Sequence, residues 1–291
     1  MEFLVILAAL GLHRVVPDLR LLHQDGWFFV WLGKFGSPSA VKFIVSLLVP
    51  VAALWLLDCF AAQWWGWLGS FAFGLLVLLY CLGRGNLPAN LDAIEEHVER
   101  DDQQAVYHDL AKLEGEESER ASATGAPSTP EELHQALLQN LSYRFFEHSF
   151  PVVFWFFVLG PAGALLYRLS ELQANKPITT DQQEVEDEAP SCPVMGLAQR
   201  WLWLMEWLPV RILGFSFALV GNFACCLHHW KECVVCPVRT TGQVLLHYVV
   251  GALSANVDTA DIEVAELEMV RTLFHRAMML WVCVIAFIVV L

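Results

Sequence analysis

Three observations predict an all-α integral membrane protein with several spans. The chain has 291 residues, of which 56% are hydrophobic and 16% are charged, whereas a soluble domain carries about 25% charge. The uncharged residues are concentrated in a few runs of membrane-spanning length. The 12 Trp and 19 Phe agree, because amphipathic rings favour the membrane interface. The predicted fold is a polytopic helical bundle with a broken or re-entrant central helix and amphipathic cytoplasmic helices.

The net charge of −14 limits the classes of partner. Recognition of nucleic acid begins from a basic surface, so we expect no nucleic-acid partner. The same charge argues against general electrostatic docking to anionic lipid. The bilayer itself is the expected partner, and a homo-oligomer or a second membrane protein is compatible with the sequence.

Residues 1–83 are predicted to form an N-terminal membrane region that contains a helical hairpin. Its two spans are residues 43–57 and 59–83, and the Trp-rich segment Gln63–Trp67 forms the turn between them. Basic residues flank the base of the hairpin but not its tip. By the positive-inside rule the tip faces outward and the chain returns to the cytoplasm at Arg84.

Two weaker segments precede the hairpin. Residues 3–16 are an apolar run interrupted by His13 and Arg14, too short to span a bilayer and predicted to be a half-inserted or packed helix. Residues 17–42 mix basic, apolar and turn-forming residues and are predicted to be a connector, in which Asp25-Gly26 marks a turn.

An acidic cytoplasmic helical arm is predicted over residues 84–148. Apolar residues recur at helical spacing on both sides of its middle, and residues 115–129 form a flexible linker composed of Gly, Glu, Ser, Ala, Thr and Pro apart from one Arg. Thr129, Pro130 and Glu132 then supply an N-cap, a first-turn proline and a capping-box glutamate. A helix should therefore start near Pro130 and lead into the membrane.

The central apolar run is residues 149–168, in which Gly160, Pro161 and Gly163 lie where an uninterrupted span would have Leu or Ala. Proline removes a backbone donor and clashes with the preceding turn, so a break is expected near Gly160. The run either crosses the bilayer once or folds back, and this leaves the side of residues 169–276 open.

The remaining chain completes a core predicted over residues 149–291. An acidic linker is expected at 174–195, interfacial or membrane helices at 197–253, and a C-terminal membrane helix at 262–291. Pro209 is expected to turn the chain between two of these helices.

A cluster of soft ligands lies at residues 225–236, which read Cys-Cys-Leu-His-His and then end in Cys233-Val-Val-Cys236. Thiolates and imidazoles at these spacings can hold zinc or copper, and Cys-x-x-Cys can form a disulfide. A turn with reduced cysteines is the alternative. No second pair with ligand spacing follows, and we expect no metal.

The residues favoured as a ligand site lie around the broken run. Four of them share one face of the helix that enters it, and the others are the Tyr-Arg pair that ends it and an arginine after Pro209. The predicted ligand-binding residues are Asn140, Tyr143, Arg144, Glu147, Tyr167, Arg168 and Arg211. Converging arginines can bind a phosphate or a carboxylate. The alternative is interfacial anchoring, with structural pairing to Glu147 or Glu206.

No catalytic residues are predicted. The chain contains no G-x-x-x-x-G-K-[ST], no G-x-S-x-G and no H-E-x-x-H sequence. ATP hydrolysis and these hydrolytic chemistries have no support, and no cofactor is expected.

Several blocks resemble the CobD/CbiB family of cobalamin-biosynthesis membrane proteins. They are Phe154-Trp155 with Leu159–Ala164 and Tyr167-Arg168, then Trp207–Arg211, Gly221–Phe223 and Trp230, with further glycines at Gly242 and Gly251. Their order and spacing agree over residues 135–255. The resemblance implies the fold of a membrane synthase that joins an aminopropanol phosphate to a corrinoid carboxylate.

The acidic positions of those synthases are replaced here. Gln139 and Tyr143 stand where the family has Glu and Asp, and Ala174 stands where a later Asp is found. Because carboxylates hold the Mg²⁺ that phosphorylated substrates need, the replacement favours a protein that is not an enzyme. An amide-forming ligase remains the alternative.

A retained core without these acids resembles the AmpE branch. The resemblance implies a multi-pass protein of the Gram-negative inner membrane that modulates induction of the chromosomal β-lactamase. Such a role fits a sensor that binds a small anionic or amphipathic ligand. A scaffold that docks a partner through the acidic arm is a further alternative.

Overall fold

The computed structural model describes residues 2–15, 25–34, 40–83, 87–100, 102–115, 129–175, 196–234, 240–253 and 263–291. Within these ranges every regular element is an α-helix and none is a strand, which confirms the predicted all-α class. In chain order the helices are α1 (Glu2–Val15), α2 (Gly26–Gly33), α3 (Ala40–Cys81), α4 (Leu87–Glu99), α5 (Gln103–Gly115), α6 (Pro130–Leu159), α7 (Pro161–Ala174), α8 (Leu197–Val220), α9 (Phe223–Val234), α10 (Thr241–Leu253) and α11 (Val264–Val290). The greater parts of the two predicted linkers, 115–129 and 174–195, lie outside the described residues.

In the part of the chain that the structure describes, three helical segments are long and apolar enough to cross a membrane: Val41–Gln63, Leu197–Val220 and Val264–Val290. A multi-pass membrane protein follows from these spans, because about 20 apolar helical residues cover the hydrocarbon core. The predicted central run at 149–168 is not among them, since Gly160 divides it between α6 and α7.

The predicted hairpin lies within α3 and turns at Gly66, whose φ of 59° and ψ of −144° are not helical. One contact joins its two halves to each other, and a second joins the hairpin to the neighbouring helix α7. The Asp58 carboxylate accepts a hydrogen bond from Ser70 across the turn. At the base, Ser46 accepts a hydrogen bond from Gln173 Nε2 at 3.2 Å, on α7, against which both halves pack.

The central break is at Gly160, as the glycine and proline content predicts. Thr129 caps α6 by accepting a hydrogen bond from the Glu132 amide at 3.3 Å, and α6 then runs without interruption to Leu159. Gly160 has φ 68° and ψ −156°, a conformation that is essentially restricted to glycine. Pro161 starts α7, where its missing N–H costs nothing.

Gly160→Ala is therefore expected to destabilise the protein by about 1–3 kcal/mol through backbone strain alone. An added Cβ would meet only Glu2 Oε1, at 3.9 Å, so crowding contributes nothing. The midpoint of thermal unfolding in detergent measures the effect. The matched control is Gly11→Ala in α1, where a Cβ meets nothing within 4 Å and helix propensity favours alanine. Equal midpoints for the two variants would show that Gly160 is not strained.

The expected turn at Pro209 is wrong, because α8 passes through this residue and ends at Val220. Proline leaves the carbonyl four residues before it without its helical donor. That carbonyl is Met205 O, and it accepts a hydrogen bond from Trp155 Nε1 of α6 at 3.1 Å. A neighbouring helix thus supplies the missing donor, and the helix continues.

The predicted connector at 17–42 contains a helix of its own, α2, with the sequence Gly-Trp-Phe-Phe-Val-Trp-Leu-Gly. Phe28 is fully buried against Leu47 and α7, while Val30 is 68% exposed. Trp31 Nε1 donates to Ser46 O at 3.3 Å. This short apolar helix is therefore packed against the base of the hairpin.

The C-terminal helix α11 joins the membrane part of the bundle to the predicted arm. Trp281 Nε1 donates to Ser216 Oγ of α8 at 2.9 Å, and the Phe274 ring lies 5.0 Å from the Phe217 ring. Near its start, Glu266 Oε2 lies 2.7 Å from His134 Nε2 of α6. One continuous helix therefore contacts both regions.

Glu95 of α4 lies at the contact with α11 and has a raised pKa. Burial raises the pKa of Glu95, while the nearby Arg271 lowers it. Because the folded pKa is raised, the contribution of this group to stability is fully present below its ordinary pKa of 4.5. That contribution is lost as the pH rises through the folded value.

Glu95→Gln should therefore stabilise the protein at neutral pH by less than about 1 kcal/mol, since the side chain is only partly buried and solvent screens its charge. It should also flatten the fall of stability with rising pH above 4.5. Thermal unfolding measured between pH 4 and 8 tests both expectations. Glu96→Gln on the exposed face of the same helix is the control. A pH profile that Glu95→Gln leaves unchanged would contradict the assignment.

Candidate functional site

A layer of buried polar side chains lies where α6, α7 and α8 meet. Such side chains are costly inside a membrane protein and mark functional positions. Within the described residues, those in this layer are Ser142, Glu147, Arg168, Ser170, Glu171, Glu206 and Arg211, each no more than 8% exposed. Two hydrogen-bonded clusters lie in this layer, one centred on Glu206 and one on Arg168.

The Glu206 cluster consists of Glu206, Tyr143, Tyr167 and Thr241. The carboxylate of Glu206, which is 1% exposed, accepts from the Tyr143 hydroxyl at 2.8 Å and from the Thr241 hydroxyl at 2.7 Å. The Tyr167 hydroxyl donates to it at 3.4 Å. One side chain on α8 thus receives hydrogen bonds from α6, α7 and α10.

The Arg168 cluster consists of Arg168, Asp25, Glu171 and Tyr80. Arg168 Nη1 donates to Glu171 Oε1 and Oε2 at 3.0 and 3.1 Å, and Nη2 donates to Asp25 Oδ2 at 2.8 Å. Tyr80 donates its hydroxyl to Asp25 Oδ1 at 2.9 Å. The cluster therefore joins α7 to the start of α2 and to the base of the hairpin.

The two clusters are adjacent, because Tyr167 and Arg168 are consecutive on α7. Arg168 meets two carboxylates inside the protein, so an external anion would have to compete with both of them. Carboxylates at Glu147, Glu171 and Glu206 all lie close enough to act on the Tyr167 hydroxyl. The centre of the layer therefore offers carboxylates and hydroxyls rather than an excess of cations.

The other predicted site residues lie outside these two clusters. Arg144 Nη1 donates to Glu147 Oε2 at 3.4 Å. Asn140 Nδ2 donates to the backbone carbonyl of Ala136 at 2.9 Å. Arg211 contacts Trp207, and each of the three arginines thus has protein partners of its own. The structure brings Tyr143 and Tyr167 together at Glu206, and the ligand roles of all seven residues stay predictions.

Arg211 is held in place by aromatic residues. Its guanidinium lies 4.3 Å from the centroid of the Trp207 ring, and Nη1 donates to Trp207 O at 3.1 Å. Trp230 Nε1 of α9 donates to Arg211 O at 2.9 Å. Arg211 is 7% exposed, whereas Trp207 is 37% exposed.

Sequence reasoning did not place Asp25, Glu171 or Thr241 in a site. Glu171 follows Arg168 at the i, i+3 spacing of a helical ion pair, which is a usable signal. Glu206 is an isolated acid in an apolar helix, the pattern expected of an intramembrane functional residue. Asp25 and Thr241 carry no comparable signal, because both lie far along the chain from their partners.

The cysteine cluster is only partly described. Cys225 and Cys226 are free thiols, whereas Cys236 lies outside the described residues. Within the described part of the chain, no group of three or more His, Cys, Asp or Glu side chains is arranged to hold a metal ion. The metal and disulfide interpretations of residues 225–236 therefore stay predictions.

One protein family matches the chain over its whole length. Its model, described as "Regulatory signalling modulator protein AmpE", matches residues 1–291. No curated protein matches the chain. No solved structure matches it either.

Proposed function

The chain belongs to the AmpE family of regulatory signalling modulators, and from this premise we propose that it modulates induction of a chromosomal β-lactamase. It is a multi-pass protein of the inner membrane, and we propose a Gram-negative host. The observation that carries the proposal is the family match over residues 1–291. A match of that extent includes the membrane spans, the arm and the buried polar layer together.

The buried layer supports a regulatory role because it connects elements that are distant in the chain. Glu206 joins α6, α7, α8 and α10, and Arg168 joins α7 to α2 and α3. A ligand that alters either cluster changes contacts between several helices at once. We propose that this ligand is anionic or amphipathic and contacts the layer near Arg144 and Arg211.

We also propose that the core shares the CobD/CbiB arrangement. The helix break at Gly160 and the buried Tyr167-Arg168 pair support this relationship. Retained synthase activity is the competing outcome, since Glu171 and Glu206 keep carboxylates in the layer. Expression in a strain that lacks the corrinoid synthase distinguishes the two, and growth on the corrinoid carboxylate that the missing synthase would use would show an enzyme.

The proposal is tested by removing the gene from a strain with an inducible chromosomal β-lactamase. Activity is measured with a chromogenic cephalosporin, with and without an inducing β-lactam. We expect deletion to change the ratio of induced to basal activity severalfold, and the wild-type gene to restore it. Glu206→Gln should restore it poorly at equal membrane abundance, and Glu96→Gln should restore it fully. An unchanged ratio after deletion would refute the proposal.

A further inference from the structure

We propose that α2 and the first turns of α3 form a binding surface for an anionic phospholipid, whose phosphate lies between Lys34 and Lys42. This lysine surface consists of Trp27, Val30, Trp31 and the two lysines. It is separate from the buried polar layer, because both lysine side chains are exposed. The inference goes beyond the proposed function and does not depend on it.

The local charge of the lysine surface is opposite to that of the whole protein. Residues 26–57 contain two lysines and no Asp or Glu, whereas the chain has a net charge of −14. Asp25 and Glu171, near the base of the hairpin, are bonded to Arg168 inside the protein. Asp58 lies near the turn at the opposite end of the hairpin. The protein as a whole repels anionic headgroups at long range, so a local positive charge selects where they bind.

Trp31 brings the two lysines to the same place. Lys34 Nζ lies 5.9 Å from the centroid of the Trp31 ring, and Trp31 Nε1 donates to Ser46 O at 3.3 Å. Lys42 is one helical turn before Ser46 and is therefore on the same side of α3. Both lysines thus lie within about one helical turn of the same indole. Their flexible four-carbon side chains allow both ammonium groups to contact one phosphate.

The lysine surface lies at the depth of the lipid headgroups. The candidate span on α3 begins at Val41, so Lys42 lies at the boundary of the membrane. Trp27 and Val30 are 45% and 68% exposed and lie on the same side of α2 as Lys34, at spacings of three and four. Tryptophan favours this interface, and lysine extends its charged end towards the headgroups. Helix α2 therefore presents apolar side chains and a cation to the same layer of the bilayer.

An apolar stripe on α3 gives the acyl chains a surface to follow. Its residues recur at spacings of three and four, and it begins beside Lys42 and continues towards the middle of the span. The stripe consists of Val41, Val45, Leu48 and Val49, which are 69%, 37%, 53% and 45% exposed. A phospholipid therefore contacts both the lysines and the stripe, whereas a free phosphate contacts only the lysines.

The lysine surface is directly connected to the Arg168 cluster. Trp27 Nε1 donates to the Tyr80 hydroxyl at 3.1 Å, and that hydroxyl donates to Asp25. Asp25 immediately precedes α2 and accepts a hydrogen bond from Arg168. A lipid that holds α2 in place therefore also holds the cluster together. Because the lipid binds only the folded arrangement, its binding should stabilise the protein.

The experiment uses the full-length protein in phosphatidylcholine nanodiscs that contain a minor fraction of phosphatidylglycerol with the same acyl chains. Native mass spectrometry counts the lipids of each class that stay bound after release. We expect the wild type to retain phosphatidylglycerol in preference to phosphatidylcholine. Lys34→Gln and Lys42→Gln should each lower this preference about fivefold, the scale of one basic residue at an anionic lipid surface. The double variant should lower it further.

Three controls separate the lysine surface from other sources of the preference. Lys231→Gln makes the same change at an exposed position of α9 and should leave the preference unaltered. Lys34→Arg with Lys42→Arg keeps both charges and should retain the preference. Glycerol 3-phosphate should compete poorly, because it carries the phosphate without the acyl chains.

A second readout is the thermal midpoint of unfolding. Phosphatidylglycerol should raise the midpoint of the wild type and leave that of the double Gln variant nearly unchanged. An equal rise in both proteins would overturn the inference. If the double variant does not fold, the two single variants give the same test.

The remaining outcomes are equally decisive. A wild type without lipid preference, or equal losses for Lys34→Gln and Lys231→Gln, would overturn the inference. Competition by glycerol 3-phosphate as strong as that by phosphatidylglycerol would also overturn it, since the ligand would then be a free anion. A dimer that the lysine variants dissociate would assign the surface to a second copy of the chain instead. None of these measurements involves β-lactamase, so their failure would leave the proposed function standing.

Discussion

Replacing Arg168 with methionine should destabilise the folded protein by about 3–5 kcal/mol, the cost of leaving buried charges without their partner. Arg168 is 1% exposed and donates to both Asp25 and Glu171. Methionine replaces only the aliphatic stem of the arginine, so the loss combines the two uncompensated carboxylates with the space that the guanidinium leaves. Chemical unfolding of the purified protein, followed by tryptophan fluorescence, measures the change.

Two companion variants separate charge from packing in this cluster. Arg276→Met, at an exposed position of α11, should change stability by no more than about 0.5 kcal/mol. Arg168→Met combined with Glu171→Leu removes one of the abandoned carboxylates and should recover part of the stability. Glu171→Leu alone completes the cycle, and a double variant whose destabilisation equals the sum for Arg168→Met and Glu171→Leu would show that the arginine does not act through Glu171.

Glu206→Leu is expected to cost at least about 3 kcal/mol, because three hydroxyl groups lose their acceptor and each costs about 1–3 kcal/mol. The affected groups are the hydroxyls of Tyr143, Tyr167 and Thr241. Glu206→Gln keeps one acceptor oxygen, so its cost should be clearly smaller. The same unfolding measurement applies to both variants.

The control for the Glu206 variants is Glu268→Leu, an exposed position on α11 that makes the same chemical change. It should leave the unfolding midpoint nearly unchanged. If Glu206→Leu were as stable as the wild type, the cluster would not stabilise the bundle. A Gln variant that matched the Leu variant would show that the negative charge, and not the acceptor oxygen, is what the hydroxyls require.

The fold was predictable where local chemistry dominates. In lipid, a long uncharged run can form hydrogen bonds with all its backbone N–H and C=O groups only as a helix. Gly160 ends one helix and Pro161 begins the next. Pro209 gave the wrong answer because the deciding group, the Trp155 indole, lies 50 residues before Met205, whose carbonyl it satisfies. The short helix α2 was missed because its apolar run is brief and lies between turn-forming residues.

The buried layer was predictable only in part. Tyr143 and Tyr167 could be chosen because they flank the break on two helices that must lie close together. The pairing of Arg168 with Asp25 joins positions 143 residues apart, and no spacing rule reaches that far. The contact of Thr241 with Glu206 likewise depends on how α10 packs against α8. Tertiary contacts, and not local pattern, decide which ionisable groups meet.

The length of α11 has a mechanical consequence. At about 1.5 Å per residue, a helix from Val264 to Val290 is about 40 Å long, which exceeds the roughly 30 Å of the hydrocarbon core. Its far end holds the contact between Glu266 and His134 at 2.7 Å. A stiff rod of this length acts as a lever, and a tilt of about 10° at the membrane end displaces the other end by about 7 Å. A change in bilayer thickness alters helix tilt. It would therefore move the contact between α11 and α6 even when no other molecule is bound to the polar arm.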